Sequence, residues 1–228
     1  MTATATQDPL TAYFQSGDAL RSRSVSTLVH WGQLTVPALP PRLLADCERE
    51  VALNLALAPG DVEALSLPRA RARWPHYRQC VQAVTDWLSA LGLPQLWADS
   101  EVALMACRGT RYHHDGDHYG GKAFCNLFLS DDIGTTLHFA GTGHRIPLTR
   151  GTVVVFDTGQ CHAVTGPEAT QLFLTWELPI EHPRVARALQ IALDTDPLTA
   201  SSLQEAQVWI RGARAQVCPD SGRWSHRA

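Results

Sequence analysis

Between Glu101 and Leu178 the chain is a succession of short apolar runs, rich in Val, Phe, Leu and Thr and interrupted by Gly, Asp or Asn. Runs of this length bounded by turn-forming residues build strands rather than helices. Eight strands are expected, near 101–107, 110–115, 122–129, 135–140, 144–148, 152–157, 161–165 and 170–177. Eight strands in one unit fit a double-stranded β-helix, the jelly roll, in which two sheets pack face to face. The expected fold class is therefore mainly β with flanking helices.

The flanks read differently. From Pro40 to Ala58 the positions Leu43, Leu44, Cys47, Val51 and Leu55 recur at helical spacing, with Pro41 in the first turn and Pro59-Gly60 as a stop. A second helix is expected from Pro75 to Leu91, its stripe formed by Tyr77, Val81, Val84, Leu88 and Leu91. Beyond Glu181 a helical pattern is expected as far as about Gln216, in two pieces broken near Asp196-Pro197. Residues 1–25, rich in Thr, Ser and Ala, read as a flexible arm, and residues 219–228 as a polar tail. That leaves one domain over 26–218 with its jelly-roll core at about 101–178, a size at which a single core is ample.

Composition narrows the function classes. A formal net charge of −3 offers no basic footprint, so neither nucleic acid nor an anionic membrane is an expected partner. The first ten residues carry no signal-peptide pattern, and no apolar run is long enough to span a bilayer. Six scattered cysteines with no CxxC pair read as reduced thiols, which points to the cytoplasm. Nothing in the sequence indicates an oligomeric state.

The chemistry concentrates in Tyr112-His113-His114-Asp115 and in His162, 47 residues beyond Asp115. On a strand, residues two apart share a face, so His113 and Asp115 point together and His114 points away. A histidine from a distant strand then completes a two-histidine, one-carboxylate facial set, the arrangement that binds non-haem iron(II) and leaves three positions open. Two histidines on one strand are also compatible with a plain surface. The strand–turn–strand context and the run Gly151-Thr-Val-Val-Val-Phe-Asp-Thr-Gly-Gln-Cys-His favour metal ligation.

With those residues in view, 101–178 resembles the catalytic core of the iron(II)/2-oxoglutarate-dependent oxygenases, in particular the prolyl-hydroxylase-type branch. The motifs that carry the resemblance are His113/Asp115, Lys122, Phe128-Leu129-Ser130-Asp131, Gly134-Thr135-Thr136-Leu137-His138-Phe139 and His162-Ala163-Val164. The resemblance implies Fe(II) held by His113, Asp115 and His162, and molecular oxygen and 2-oxoglutarate as co-substrates. It also implies oxidation of substrate coupled to conversion of 2-oxoglutarate to succinate and CO2. Halogenases of this superfamily have a small residue where the carboxylate stands, so Asp115 implies hydroxylation or a related hydrogen abstraction.

The sequence departs from that branch at the co-substrate's distal carboxylate. The branch places an Arg or Lys shortly after the distal histidine, whereas counting on from His162 reaches Gln171 and Leu172, with no Lys or Arg before Arg184. Lys122, the only lysine of the chain, is the expected replacement, followed by Arg145, with Asn126 and Gln171 as hydrogen-bonding contributors. Lys122, Phe124, Asn126 and Phe128 share one face by alternation, which marks that face as a pocket wall. Tyr112, His118, Tyr119 and Trp176 are the expected substrate-side residues, the middle two because they follow the metal motif on a loop. No appended peptide-binding module is expected, which favours a small-molecule substrate such as an amino acid or natural-product intermediate. A protein side chain, an iron oxygenase without 2-oxoglutarate, and a non-catalytic jelly-roll binding protein are the competing readings.

Overall fold

All eight expected core strands form in the computed structural model, described here over residues 10–16, 19–93, 101–194 and 206–226. They are β5 (Val102–Cys107), β6 (Thr110–His113), β7 (Lys122–Phe128), β8 (Thr136–Phe139), β9 (His144–Pro147), β10 (Thr152–Asp157), β11 (His162–Thr165) and β12 (Gln171–Pro179). Two further strands, β3 (His30–Gln33) and β4 (Val62–Leu65), extend one of the two sheets. The larger sheet runs in the order β3-β10-β7-β12-β5-β4, and the smaller in the order β6-β11-β8-β9. Neighbouring strands in both are antiparallel. Most connections between consecutive core strands pass from one sheet to the other, which is the path of a jelly roll.

Alternation decides which side chain meets which layer. On β7, Ala123, Cys125 and Leu127 join the core beneath the helices, while Phe124 and Phe128 belong to the core between the sheets. β10 is buried along its whole length, with Val153 and Val155 turned to the helices and Val154 and Phe156 to the interior. A strand covered on both faces needs no polar side, which accounts for its unbroken Val-Val-Val-Phe run.

The helices cover the outer face of the larger sheet. The first expected helix is α1 (Pro41–Glu50), continued by a π-helical turn over Val51–Leu55 that ends at Ala56 with φ 46°. The second is α3 (Tyr77–Ala90), which buries Cys80, Val84 and Leu88 against the sheet. A short α2 (Leu67–Arg71) lies between them, and α4 (Gly116–Tyr119) follows the metal motif. No helix among the described residues is long and apolar enough to cross a membrane.

Both ends of the chain differ from expectation. Residues expected as a flexible arm form β1 (Thr11–Ser16) and β2 (Ala19–Ser24). Of the helix expected after Glu181, the described residues hold α5 (Pro183–Ala188); the break near Asp196-Pro197 lies outside the described residues. Residues expected to continue that helix form instead β13 (Gln207–Ile210) and β14 (Ala213–Val217), with β15 (Trp224–His226) from the tail. These five strands make a third sheet in the order β15-β14-β13-β1-β2. Arg211 and Gly212, at φ 49° and 74°, make the tight β13–β14 hairpin turn, since two consecutive positive φ values match the strand twist. Pairing of Trp209 with Thr11 then supplies partners that local helix propensity does not outweigh.

The third sheet is bolted to the core by a buried ion pair. Arg23 and Asp157 are 1% and 0% exposed, with guanidinium–carboxylate contacts of 2.6 and 2.8 Å. Arg23 also donates to the Gly120 carbonyl, and Asp157 accepts from the Ser26 and Gly159 amides. The strand that reads as an arm thus grips the loop that follows the HxD motif.

Candidate metal centre and cavity

β6 and β11 lie side by side, with His113 directly across from His162. β6 ends at His113, and the backbone turns before Asp115, whose φ of −99° and ψ of 7° make it the cap of α4. Strand alternation alone therefore does not bring Asp115 alongside His113. The turn does so, held by the Asp115 amide donating to the Thr158 carbonyl at 2.8 Å. The Thr158 hydroxyl in turn shares its one proton between the carbonyls of Tyr119 and Lys122, at 2.8 and 2.9 Å.

One ligand atom from each of His113, Asp115 and His162 lies within 4.8 Å of the others. His113 Nε2 is 3.5 Å from one Asp115 carboxylate oxygen, and His162 Nε2 is 3.5 Å from the other. His113 Nδ1 faces the Arg111 carbonyl at 2.8 Å, and His162 Nδ1 the Gln160 carbonyl at 3.0 Å. A carbonyl accepts only, so each Nδ1 carries the proton and each Nε2 is left with its lone pair towards the common point. Phe156 packs its edge against the His162 ring at 4.9 Å and restricts its rotation. His114 turns away and rests on Trp224.

The electrostatics suit a divalent ion. Burial pushes the His162 imidazole down to about 4 against the pull of Asp115. Burial also opposes ionisation of Asp115, but the imidazoles beside it, His113 first and then His162, outweigh it and hold the carboxyl below its usual value. A neutral imidazole and an ionised carboxylate are the forms that bind metal. The donor set of two nitrogens and one oxygen fits iron(II), and one carboxylate leaves the ion with residual positive charge.

The triad opens into a cavity of about 360 Å³ between the two sheets. Its walls are largely apolar, with Phe124, Phe128, Phe156 and Phe173 joined by Val62, Ala64, Ala103 and Met105. Its polar groups beyond the triad are Thr110, Tyr119, Asn126, Thr175 and Glu177. No Lys or Arg is among the described residues that line it.

Among the residues expected from sequence, Asn126 and Tyr119 join the triad in this cavity. Tyr119 stacks edge-on with Phe124, and burial together with Glu177 and Asp115 raises its phenol pKa. Lys122 does not line the cavity; its ammonium lies 3.7 Å from Glu177, each about one-quarter exposed. Arg145 is exposed on β9, and its neighbour Ile146 is the residue turned inward. Gln171 faces the interior but donates to the Thr135 hydroxyl and the Leu148 carbonyl, so its amide N–H groups are engaged outside the cavity. Tyr112 bonds His138 at the smaller sheet, His118 is exposed on α4, and Trp176 is packed in the core beneath the helices.

Sequence reasoning missed Thr175 and Glu177. The signal was present in the alternation of Gln171, Phe173, Thr175 and Glu177 along β12, the same pattern that singled out Asn126 on β7. The wall from β4 had no such signal, because Val62–Leu65 does not stand out as a strand.

No protein-family model and no curated protein matches this chain. Among solved structures it is similar to a prolyl-4-hydroxylase from Pseudomonas putida, at 20% identity over 66% of this chain and 92% of that one, with a TM-score of 0.45. A viral collagen prolyl hydroxylase from Paramecium Bursaria Chlorella virus-1 is similar at 9% identity over 66% and 89%, with a TM-score of 0.44. A prolyl hydroxylase from Trichoplax adhaerens, solved with a hypoxia inducible factor peptide fragment, is similar at 10% identity over 70% and 86%, with a TM-score of 0.44. All three are distant likenesses.

Proposed function

We propose that this protein is a non-haem iron(II) dioxygenase that uses 2-oxoglutarate as co-substrate and hydroxylates a small molecule. The observation that carries the reading is the convergence of His113, Asp115 and His162 on a cavity between the two sheets, with both histidines held to present Nε2. Bound iron(II) would supply oxygen activation there. The chain's own part is to hold the ion and to exclude water. Asp115 contributes the one negative charge, which leaves the ion attractive to an anionic chelator. Phe124 and Phe156 shield the site, so that charge at the metal is felt at low dielectric.

The cavity volume of about 360 Å³ falls in the range of small-molecule sites and favours a compact substrate over a folded protein surface. Tyr119, at 40% exposure on α4, stands at the opening where substrate would enter. The metal fits the residues present. The distal carboxylate of 2-oxoglutarate fits less well, because the described lining offers no Lys or Arg to receive it. That observation favours, as a second reading, an iron oxygenase that does not depend on a dicarboxylate.

The test is succinate formation from 2-oxoglutarate in air after anaerobic loading with iron(II), comparing wild type with His113→Ala and Asp115→Ala. Turnover in wild type alone supports the reading, and equal background turnover in all three removes it.

A further inference from the structure

We propose that the tail of the 2-oxo acid in this cavity is received by neutral groups, Asn126 with Thr175, so that the site favours 2-oxo acids whose tail is uncharged. The inference rests on the part of the reading above in which a 2-oxo acid chelates the iron(II), and it narrows that reading by making 2-oxoglutarate the less favoured of such acids.

Asn126 sits at the middle of β7, between Phe124 and Phe128, and faces the cavity at 8% exposure. Its Oδ1 has no hydrogen-bond partner. A buried amide without a partner costs free energy, so an empty acceptor in an otherwise apolar wall is a place where a ligand group is expected. Thr175 stands directly across from it on β12 and lines the same wall. Together they offer an amide and a hydroxyl, both able to donate and accept, and neither carries charge.

Among the described residues, the cations expected to take a carboxylate are committed or turned away. Lys122 faces Glu177, Arg145 is exposed on β9, and Arg23 is bound to Asp157. Glu177 itself lines the cavity, so a second ligand carboxylate would enter a space that already holds one. Placing an unpaired carboxylate in a partly desolvated cavity is costly, whereas a neutral tail loses little and gains the Asn126 bond. At the metal end an anion would still be preferred, because iron(II) held by His113, Asp115 and His162 would carry residual positive charge.

The test is anaerobic titration of the iron(II)-loaded full chain with 2-oxoglutarate, with its 5-methyl ester and with 2-oxopentanoate, read by the visible charge-transfer band of the chelate. The proposal expects the ester to bind at least ~10-fold more tightly than 2-oxoglutarate, the size that one poorly compensated charge produces. It also expects Asn126→Leu to bring the ester down to the level of 2-oxopentanoate while iron stoichiometry is unchanged. Thr175→Val provides a second variant should Asn126→Leu fail to fold. Tighter binding of 2-oxoglutarate than of its ester would overturn the proposal but uphold the co-substrate reading, and loss of that preference in Lys122→Ala would assign the anchor to Lys122. A chain that loads iron yet gives no band with any of the three would overturn both.

Discussion

Replacing Arg23 by methionine removes one half of an ion pair that water does not reach, at 1% and 0% exposure. The methionine fills much of the space of the arginine stem, so the main loss is electrostatic. Asp157 keeps the Ser26 and Gly159 amides, which limits the damage, but the Gly120 carbonyl loses the two guanidinium donors. Breaking a buried pair costs about 3–5 kcal/mol, and the two surviving amides argue for about 3. For a domain of this size that corresponds to a fall in Tm of roughly 6–12 °C. Equilibrium urea unfolding of wild type, Arg23→Met, Asp157→Asn and the double variant measures the coupling directly. A double variant about as stable as either single one is expected, because each already loses the pair. If Arg23→Met costs less than ~1 kcal/mol, the claim that this strand anchors the loop behind the metal motif is wrong.

Three further outcomes follow from the same structure. Leu88→Ala should cost about 2–5 kcal/mol by leaving a cavity under α3, where Leu88 is 1% exposed, yet iron affinity should be unchanged because the site lies on the other face of the sheet; weaker iron binding in the folded variant would contradict that separation. Native alkylation at pH 8, followed by peptide mass spectrometry, should modify Cys218 first. A hydrogen bond from Ser221 lowers its thiol pKa, whereas burial pushes Cys47, Cys80 and Cys107 up to about 11 and Cys161 up to about 12. Labelling of Cys125 as fast as Cys218 would show that the core is not closed. Phe156→Ala should remove the ring that restrains His162 and weaken iron(II) binding by about 10-fold, the scale seen when a ligand's support is lost; an unchanged affinity would show that the Gln160 carbonyl alone positions the imidazole.

Much of the core was legible in the sequence because its signals are local. The eight strands are bounded by Gly, Asp and Asn, and period-two alternation on β7 separates Cys125 from Asn126 without reference to the rest of the chain. The pair His113 and His162 was legible for the same reason, since each sits in a strand whose pattern is clear. What escaped depends on long-range pairing. Thr11–Ser16 and Ala19–Ser24 are polar enough to read as an arm and become paired strands through β13, the core of the third sheet and Asp157. Gln207–Val217 carries helix-compatible Ala, Gln and Arg, and the turn at Arg211-Gly212 reverses it. Lys122 looked like an anchor because alternation points it inward, but alternation does not reveal that Glu177 on β12 stands beside it.

Whether His113, Asp115 and His162 together bind one iron(II) is decided by anaerobic iron titration under chelator competition. Wild type should bind one ion per chain, and His113→Ala, Asp115→Ala and His162→Ala should each lose stoichiometric binding while remaining folded. Stoichiometric iron retained with wild-type affinity in Asp115→Ala and His162→Ala would contradict it.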